Sequence, residues 1–288
     1  IELRRFEDAA ADLNGCEAVF CALPHGEAMR LLPGLRARVV IDLGGDFRLK
    51  SQGAYEQWYG RPHLCPQELP RWVYGLPELF RGELRNADRI ANPGCYATAA
   101  ILAAAPLARA GAAEGAYVID AVSGTSGAGR QPKAELHFAH AFEDLRAYKV
   151  GRHQHTPEIE AVLERWSRRA VKVSFTPHLG PFSRGIHLTL SAQLGGAMDT
   201  AALSELYQEA YRGEGFVRIC AAPCGIKEVR GSNTAAIYAT VDQRCGRAVI
   251  TCVIDNLVKG AAGQALQNAN LRFGFSENTG LEGEAFYP

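Results

Sequence analysis

The stretch EAVFCALPHGEAMRLLPGLRARVVIDLGG, residues 17–45, decides the expected fold of the first part of the chain. EAVFCALP (17–24) and ARVVIDLGG (37–45) are short runs rich in β-formers that stop at Pro or Gly, and GEAMRLL between them is typical of a short helix. Strands that alternate with helices predict a parallel α/β sheet. Ligands of such sheets bind at the carboxyl ends of the strands, so the turns at 23–26, 44–46 and 92–95 are expected along one ligand-binding edge.

The composition and net charge of the chain argue against several classes of protein. The 288 residues include 31 Lys+Arg and 31 Asp+Glu, and this balance argues against a nucleic-acid partner. A 47% hydrophobic content is typical of a globular protein, and the length predicts two domains. The sequence has no apolar run of the roughly 18 to 20 residues that a membrane helix needs, and its first ten residues do not resemble a signal peptide. We therefore expect a cytoplasmic protein without a membrane partner.

The pattern changes after residue 95. Five runs alternate apolar and polar residues and lie close together along the chain, at 117–124, 171–179, 185–194, 235–242 and 248–255. This alternation favours a mainly antiparallel sheet, with helices at 157–168 and 200–211. We expect a Rossmann-like nucleotide-binding domain from residues 1–94 and 256–288, and an α+β catalytic and dimerisation domain from residues 95–255.

A nucleotide-binding domain of this class normally opens with a strand, a G-x-G-x-x-G turn and a helix. Nothing before Glu17 resembles that pattern, and residue 1 is Ile rather than Met. The simplest expectation is that an N-terminal βαβ portion, on the order of 30 or more residues, is missing from this chain.

ANPGCYATAAILAAAPL (91–107) contains the strongest candidate for a nucleophile. An apolar strand runs into Asn92, Pro93 and Gly94, and a helix follows at once, so Cys95 is expected in the first turn of that helix. Unpaired N–H groups and the positive end of the helix dipole favour a thiolate there and provide donors for an adjacent oxyanion. The alternative is a buried, inert thiol, and we expect that state for most of the eight cysteines, which include no C-x-x-C pair.

A cysteine nucleophile needs a base, and His153-Gln154-His155 lies just before the helix start signal Thr156-Pro157-Glu158. The two histidines are candidates for acid/base catalysis or for substrate binding. There are two alternatives: the two histidines could bind a metal ion, or they could simply be exposed to solvent. Because the sequence shows no cluster that would supply a third metal ligand, we expect no bound metal. His25, in a Leu-Pro-His-Gly turn, is expected to pack near a cofactor rather than to react.

Two further segments suit anion binding. SGTSGAGR (123–130) follows a strand and combines three glycines with three hydroxyls, which suits close backbone approach to a nucleotide. Arg184 lies in a turn between two strands, where a guanidinium can bind a carboxylate or phosphate with two donors. The alternative for Arg184 is a surface salt bridge.

Seven segments, in this order, resemble the N-acetyl-gamma-glutamyl-phosphate reductase family, which is related to aspartate-semialdehyde dehydrogenase. The resemblance covers residues 17–288, and its segments are LPHG, IDLGGDFRL, VYGLPEL, NPGCYAT, SGTSGAGR, GRHQHTPEIE and DNLVKGAAGQALQNAN. It implies an NADPH-dependent enzyme that reduces a small acyl phosphate to a semialdehyde and releases phosphate. A homo-oligomer is also expected, since the sheet of the middle domain could pair subunits.

The resemblance also implies roles for individual residues. Cys95 would form a thioester, His153 and His155 would act as acid/base and near the substrate, and Glu158 would hold or polarise that pair. Arg184, Asn92 and Tyr148 would bind substrate. Asn256 would lie near the nicotinamide, and the other residues expected to line the cofactor are Pro24, His25, Gly26, Ser123 and Gly124.

Other interpretations remain open at this stage. Aminoadipyl- and aspartyl-phosphate reductases share these motifs and would differ in substrate preference. An inactive truncated relative would agree with the missing phosphate-binding loop. A cysteine hydrolase would use water in place of hydride at the thioester and would not bind a nicotinamide.

Overall fold

The structure is a computed structural model that describes residues 12–129 and 131–286. Its strands are β1 (Ala18–Cys21), β2 (Val39–Asp42), β3 (Val73–Tyr74), β4 (Arg89–Ala91), β5 (Ala113–Ser123), β6 (Arg146–Ala147), β7 (Val173–Leu179), β8 (Ile186–Leu194), β9 (Val217–Ile219), β10 (Ala235–Asp242) and β11 (Arg247–Ile254). Its α-helices are α1 (Ala28–Leu31), α2 (Gln52–Tyr59), α3 (Pro77–Leu84), α4 (Cys95–Ala110), α5 (Phe138–Ala141), α6 (His155–Ser167), α7 (Thr200–Ala210) and α8 (Gly263–Phe273).

The described chain forms two compact units. Residues up to Pro93 and Gln264–Thr279 make up the first, and Gly94–Gly263 with the residues from Gly280 make up the second. The tail departs from the predicted division, because residues 256–263 and 280–286 belong to the second unit. Local hydrogen bonds explain this: the N–H of Leu257 donates to the Asp255 carboxylate, and the N–H of Phe286 donates to the Arg230 carbonyl.

The first unit contains a four-stranded sheet in the order β1-β2-β4-β3, and all neighbouring strands are parallel. This confirms the parallel sheet that the alternation in residues 17–45 predicts. The predicted helix is shorter than its apolar pattern, since α1 gives way to a 3₁₀ turn at Leu32–Gly34, where Pro33 cannot donate a helical hydrogen bond. Aromatic rings fill the core beside the sheet, with Phe47 stacked on Trp72 at 4.1 Å between ring centroids.

The second unit contains a seven-stranded sheet in the order β6-β7-β5-β8-β11-β10-β9. The pairs β5·β7 and β9·β10 are parallel and the others are antiparallel, so the predicted mainly antiparallel sheet is confirmed. Helices α4 and α7 contact the sheet, and α6 packs on α4. Side chains of β8 alternate between fully buried and half-exposed, as expected for a sheet with one covered face.

Helix α4 continues through Pro106, which has no N–H to donate to the carbonyl of Leu102. Two tyrosines supply donors at this point: the Tyr211 hydroxyl donates to the Leu102 carbonyl and the Tyr207 hydroxyl donates to the Ala103 carbonyl, each at 2.5 Å. Since a buried carbonyl without a partner is costly, these two bonds allow the proline to remain inside a buried helix.

None of the helices in the described part of the chain has the length and apolar character needed to span a bilayer.

Candidate active site

Cys95 is the first residue of the 16-residue helix α4, which confirms its predicted place in the first turn. Gly94 is the N-cap residue, with extended backbone and no side chain to cap the helix. The Gly94 carbonyl accepts hydrogen bonds from both the N–H and the hydroxyl of Thr98, at 2.8 and 3.1 Å. The side chain of Cys95 is partly exposed and lies beside the N–H groups that the first helical turn leaves without helical partners. This setting favours a thiolate at Cys95.

The buried carboxylate of Glu158 connects the start of α4 with the histidine pair. Its Oε1 accepts a hydrogen bond from the Gly94 N–H at 2.9 Å, and its Oε2 lies 4.0 Å from Nε2 of His155. Glu158 is 1% exposed. One carboxylate therefore holds the residue before the cysteine and faces an imidazole that can carry a proton.

His153 and His155 are both buried, so the alternative of solvent-exposed histidines is wrong. The Nδ1 of His153 accepts a hydrogen bond from the His155 N–H at 3.1 Å, and the two ring centroids lie 4.6 Å apart. Helix α6 begins at His155 rather than at the predicted residue 157, because this imidazole nitrogen accepts an N–H from the first helical turn. In the described ranges no group of three or more His, Cys, Asp or Glu could hold a metal ion.

Tyr96 and Tyr148 line the same region. The Tyr148 hydroxyl donates to the Tyr96 hydroxyl at 3.4 Å, and the Tyr96 hydroxyl donates to the His178 carbonyl at 2.7 Å. His153 makes edge-to-face contacts with both rings, at 5.8 Å from Tyr96 and 5.6 Å from Tyr148. Burial, with a smaller contribution from the nearby Cys95, raises the pKa of Tyr148 to about 12, so its hydroxyl keeps its proton near neutral pH.

Arg184 is paired inside its own unit rather than at the surface. Its Nε lies 2.7 Å from the carboxylate of Asp255, which is fully buried, while the Arg184 side chain as a whole is about one third exposed. The same carboxylate accepts the N–H groups of Gly231 and Leu257, at 2.7 and 2.8 Å. The alternative of a surface salt bridge is therefore replaced by a partly buried pair that fixes the turn before β8, and a substrate contact of Arg184 stays a prediction.

Three residues that were expected beside the cofactor meet at the end of β5: Ser123 and Gly124 in the chain itself, and Asn256, which follows β11. Asn256 accepts a hydrogen bond from the Gly185 N–H at 2.6 Å and donates to the Ser126 hydroxyl at 3.0 Å. A Cβ on Gly124 would lie 2.5 Å from the backbone N of Arg184, so only glycine permits this approach. The hydroxyl of Ser123 is buried and donates to the Gly124 carbonyl at 3.1 Å. These contacts explain the residues structurally, and their cofactor contacts stay predictions.

Pro24, His25 and Gly26 form the turn that leaves β1 in the first unit. Gly26 has φ +95°, and its N–H donates to both carboxylate oxygens of Asp46, at 3.0 and 2.8 Å. Nδ1 of His25 accepts a hydrogen bond from the Gly45 N–H at 3.2 Å. Two glycine-containing turns therefore meet at the carboxyl edge of the parallel sheet.

Asn92 is fully buried in the first unit, although the sequence predicted that it contacts the substrate. Its side-chain oxygen accepts a hydrogen bond from Nδ2 of Asn268 at 3.1 Å, and its backbone carbonyl accepts one from Nε of Arg48 at 2.8 Å. The structure thus gives Asn92 a role in holding the end of β4, and a substrate contact stays a prediction.

Two family models match this chain. Residues 2–87 match the NAD binding domain of semialdehyde dehydrogenase, and residues 95–256 match its dimerisation domain. The chain is 49% identical to the N-acetyl-gamma-glutamyl-phosphate reductase of Symbiobacterium thermophilum, over 98% of this chain and 82% of the relative. It is 46% identical to the enzyme of that name from Desulforudis audaxviator, over the whole of this chain and 83% of the relative.

The chain belongs to the N-acetyl-gamma-glutamyl-phosphate reductase family. This confirms the resemblance drawn from the seven sequence segments and makes the chain an oxidoreductase with an NAD-binding domain. Solved structures agree at the level of the fold. Aspartate semialdehyde dehydrogenase II from Vibrio cholerae superposes with a TM-score of 0.67 and 15% identity, over 90% of this chain and 80% of that one.

Sequence reasoning missed two residues of the reductase site. Tyr96 follows the cysteine directly but carries no sequence signal of its own, and only the fold brings its ring beside His153. Gly260 lies in a π-helical turn at Val258–Ala262, and a Cβ there would lie 2.9 Å from Cβ of Cys95. The glycines of the KGAAG segment could have indicated such a close approach.

Proposed function

We propose that this chain reduces N-acetylglutamyl phosphate to the semialdehyde with NADPH and releases phosphate, as a cytoplasmic step of arginine biosynthesis. Relatives that carry the name N-acetyl-gamma-glutamyl-phosphate reductase support this substrate. The observation that carries the proposal is the position of Cys95 at the start of α4, with Glu158 holding the preceding N–H and facing His155.

The first step is attack of the Cys95 thiolate on the acyl carbon. A C–S bond forms, the bond from the acyl carbon to the phosphate oxygen breaks, and phosphate leaves with the electron pair. The N–H groups of the first turn of α4 stabilise the oxyanion of the tetrahedral intermediate. The Gly94 N–H is already bonded to Glu158, so the donors come from residues 95–97.

The first unit fits a nicotinamide dinucleotide. Its four parallel strands end at one edge, as in dinucleotide-binding sheets, and Gly26, at φ +95°, lets the backbone turn tightly there while the Gly45 N–H donates to Nδ1 of His25. We assign Pro24, His25 and Gly26 to the cofactor site. The bound cofactor supplies the hydride that reduces the thioester carbon.

The thiohemiacetal oxyanion then collapses to the aldehyde and regenerates the Cys95 thiolate. The His153–His155 pair moves the proton at this oxygen, and the Glu158 carboxylate lies 4.0 Å from Nε2 of His155. Tyr148 keeps its proton near neutral pH and can donate a hydrogen bond to the substrate. The exposed part of the Arg184 side chain is the proposed partner of a substrate anion.

A second copy of the chain is the proposed partner of the half-exposed face of the seven-stranded sheet. The match of residues 95–256 to a dimerisation domain supports this assignment. On that face β8 and β11 present half-exposed side chains that are mostly uncharged, among them Thr189, Val249 and Thr251, and Arg247 at the start of β11 donates to the Ser191 hydroxyl. An adjacent pair of strands with small polar and apolar residues suits face-to-face packing of two sheets.

The direct test is phosphate-dependent reduction of NADP⁺ by N-acetylglutamate semialdehyde, followed by the absorbance of the reduced nicotinamide. We expect turnover by the native chain, a loss of roughly a thousandfold or more in Cys95→Ser, and native activity in the exposed control Cys245→Ser. Preference for aspartate semialdehyde or for the aminoadipyl analogue would reject the substrate assignment and keep the chemistry. Equal activity in Cys95→Ser and the native chain would reject the thioester.

A further inference from the structure

A second pair of reactive side chains lies in the segment CAAPC, residues 220–224, directly after β9. The Sγ atoms of Cys220 and Cys224 are 3.1 Å apart, and the thiol of Cys224 donates to the sulfur of Cys220. A disulfide bond is about 2.05 Å long, so the two sulfurs need to approach by only about 1 Å to form one. Neither residue belongs to the machinery proposed for acyl-phosphate reduction.

The backbone on both sides holds the two cysteines in place. The Cys220 N–H donates to the Ile237 carbonyl on β10 at 2.8 Å, and the Gly225 N–H donates to the Glu228 carboxylate at 2.7 Å. The three residues between the cysteines are exposed and include Pro223, which limits the conformations of the turn. The thiols are thus kept near one another in a segment that a small reagent can reach.

The charges around the pair give the two sulfurs different roles. Nη2 of Arg218 lies 3.9 Å from Sγ of Cys224, so a positive charge lies beside the cysteine pair. Burial, followed by the hydrogen bond to Cys220, raises the pKa of Cys224 to about 12, so Cys224 keeps its proton. Sγ of Cys220 accepts the hydrogen bond that the Cys224 thiol donates, so Cys220 is the sulfur that attacks first.

We propose that Cys220 and Cys224 form a reversible dithiol–disulfide site that reacts with low-molecular-weight disulfides. The Cys220 thiolate attacks one sulfur of the small disulfide, whose S–S bond breaks, and the first small thiol leaves with a proton. Cys224 then loses its proton and attacks Sγ of Cys220, and the second small thiol leaves. The pair is oxidised by two electrons while one small disulfide is reduced to two thiols.

The test treats the folded native chain with oxidised glutathione, counts free thiols and maps peptides by mass. We expect a peptide in which residues 220 and 224 are linked, with no free thiol left at either position, and recovery of both thiols with reductant. Cys224→Ser should stop at a stable glutathione adduct on Cys220, and Cys220→Ser should react at Cys224 roughly tenfold more slowly. Cys245→Ser, which removes an exposed cysteine elsewhere in the second unit, should still form the linked peptide.

Two outcomes would overturn the proposal: both cysteines stay open to alkylation after the treatment, or the linkage involves Cys245 or Cys95 instead. If either serine variant does not fold, the peptide map of the native chain decides the matter by itself. The readout is thiol chemistry rather than turnover, so it is independent of the proposed reductase function.

Discussion

Glu158 serves the site with both oxygens of one carboxylate, which makes it the most informative single residue to change. In Glu158→Gln the amide oxygen can still accept from the Gly94 N–H, whereas the negative charge 4.0 Å from His155 is lost. We expect kcat/KM to fall roughly tenfold to hundredfold and the pH profile of kcat/KM to change, because the imidazole that transfers the proton loses the carboxylate that faces it. Steady-state rates across the pH range measure both effects.

The matched control for this change is Glu160→Gln in the same helix. Glu160 also accepts a backbone N–H, from Val173 at 3.0 Å, but does not face the histidine pair. Each variant should lose on the order of 1 kcal/mol of unfolding free energy, and only Glu158→Gln should alter the pH profile. An unchanged profile in Glu158→Gln would remove Glu158 from proton transfer.

Asp42 is the last residue of β2, and we expect its titration to make the stability of the protein depend on pH. Burial raises its pKa from 3.8 to about 6, although the Gly44 N–H and Arg48 oppose that shift. Because the folded state holds this proton more tightly than the unfolded state, the contribution of Asp42 to stability is fully present below about pH 4 and falls as the pH rises through about 6; the loss is on the order of 3 kcal/mol. Asp42→Asn should remove this fall and stabilise the protein near pH 7.

Urea unfolding between about pH 4 and pH 7 tests that expectation. Asp242→Asn is the control, because Asp242 is only partly buried and its hydrogen bonds with Arg244 lower its pKa. Stability curves of Asp42→Asn and native protein that run parallel across this range would mean that Asp42 does not titrate as inferred.

At the scale of elements, the π-helical turn Val258–Ala262 packs its backbone against the start of α4. Gly260→Ala would place a methyl group 2.9 Å from Cβ of Cys95, closer than real Cβ contacts allow, so the cysteine or the turn must move. We expect kcat to fall roughly tenfold or more and alkylation of Cys95 by iodoacetamide to change rate, since small displacements of a nucleophile are costly. Gly82→Ala in α3 is the control: its Cβ would meet nothing within 4 Å, and it should gain about 0.4–1 kcal/mol.

The proline inside α4 provides a second prediction about an element. Tyr211→Phe leaves the Leu102 carbonyl buried without its donor and should cost about 1–3 kcal/mol of unfolding free energy. In Pro106→Ala the new N–H can donate to that carbonyl, so the same tyrosine change should cost less there. Denaturant unfolding of the four proteins in this cycle measures the coupling. Equal costs in both backgrounds would show that the tyrosine does not compensate for the proline.

At the scale of the whole molecule, we expect the half-exposed face of the seven-stranded sheet to determine the oligomeric state. Thr189 and Thr251 are paired across β8 and β11 on this face. Light scattering should give the native chain a mass of at least twice 31.2 kDa, and Thr251→Lys should shift it toward the monomer because a buried ammonium would lack a partner. Thr279→Lys, at an exposed position of the first unit, should leave the mass unchanged. A monomeric native chain would reject this interface.

Much of the fold and part of the site follow from local sequence. The parallel strands at residues 17–45, the alternating strands of the second unit and Cys95 at a helix start all depend on side-chain periodicity, Gly and Pro within a few residues. These local conformational preferences depend only on residues close together in the sequence, so they can be predicted without knowing how the rest of the chain folds.

Tertiary structure decided the features that join distant segments. Glu158 holds Gly94 across 64 residues, Gly260 meets Cys95, and Arg184 finds Asp255 rather than the surface. The early start of α6 at His155 and the return of the tail to the second unit have the same origin. Each depends on which polar groups the packed chain buries together, and buried groups take whichever partner the fold brings within hydrogen-bond distance.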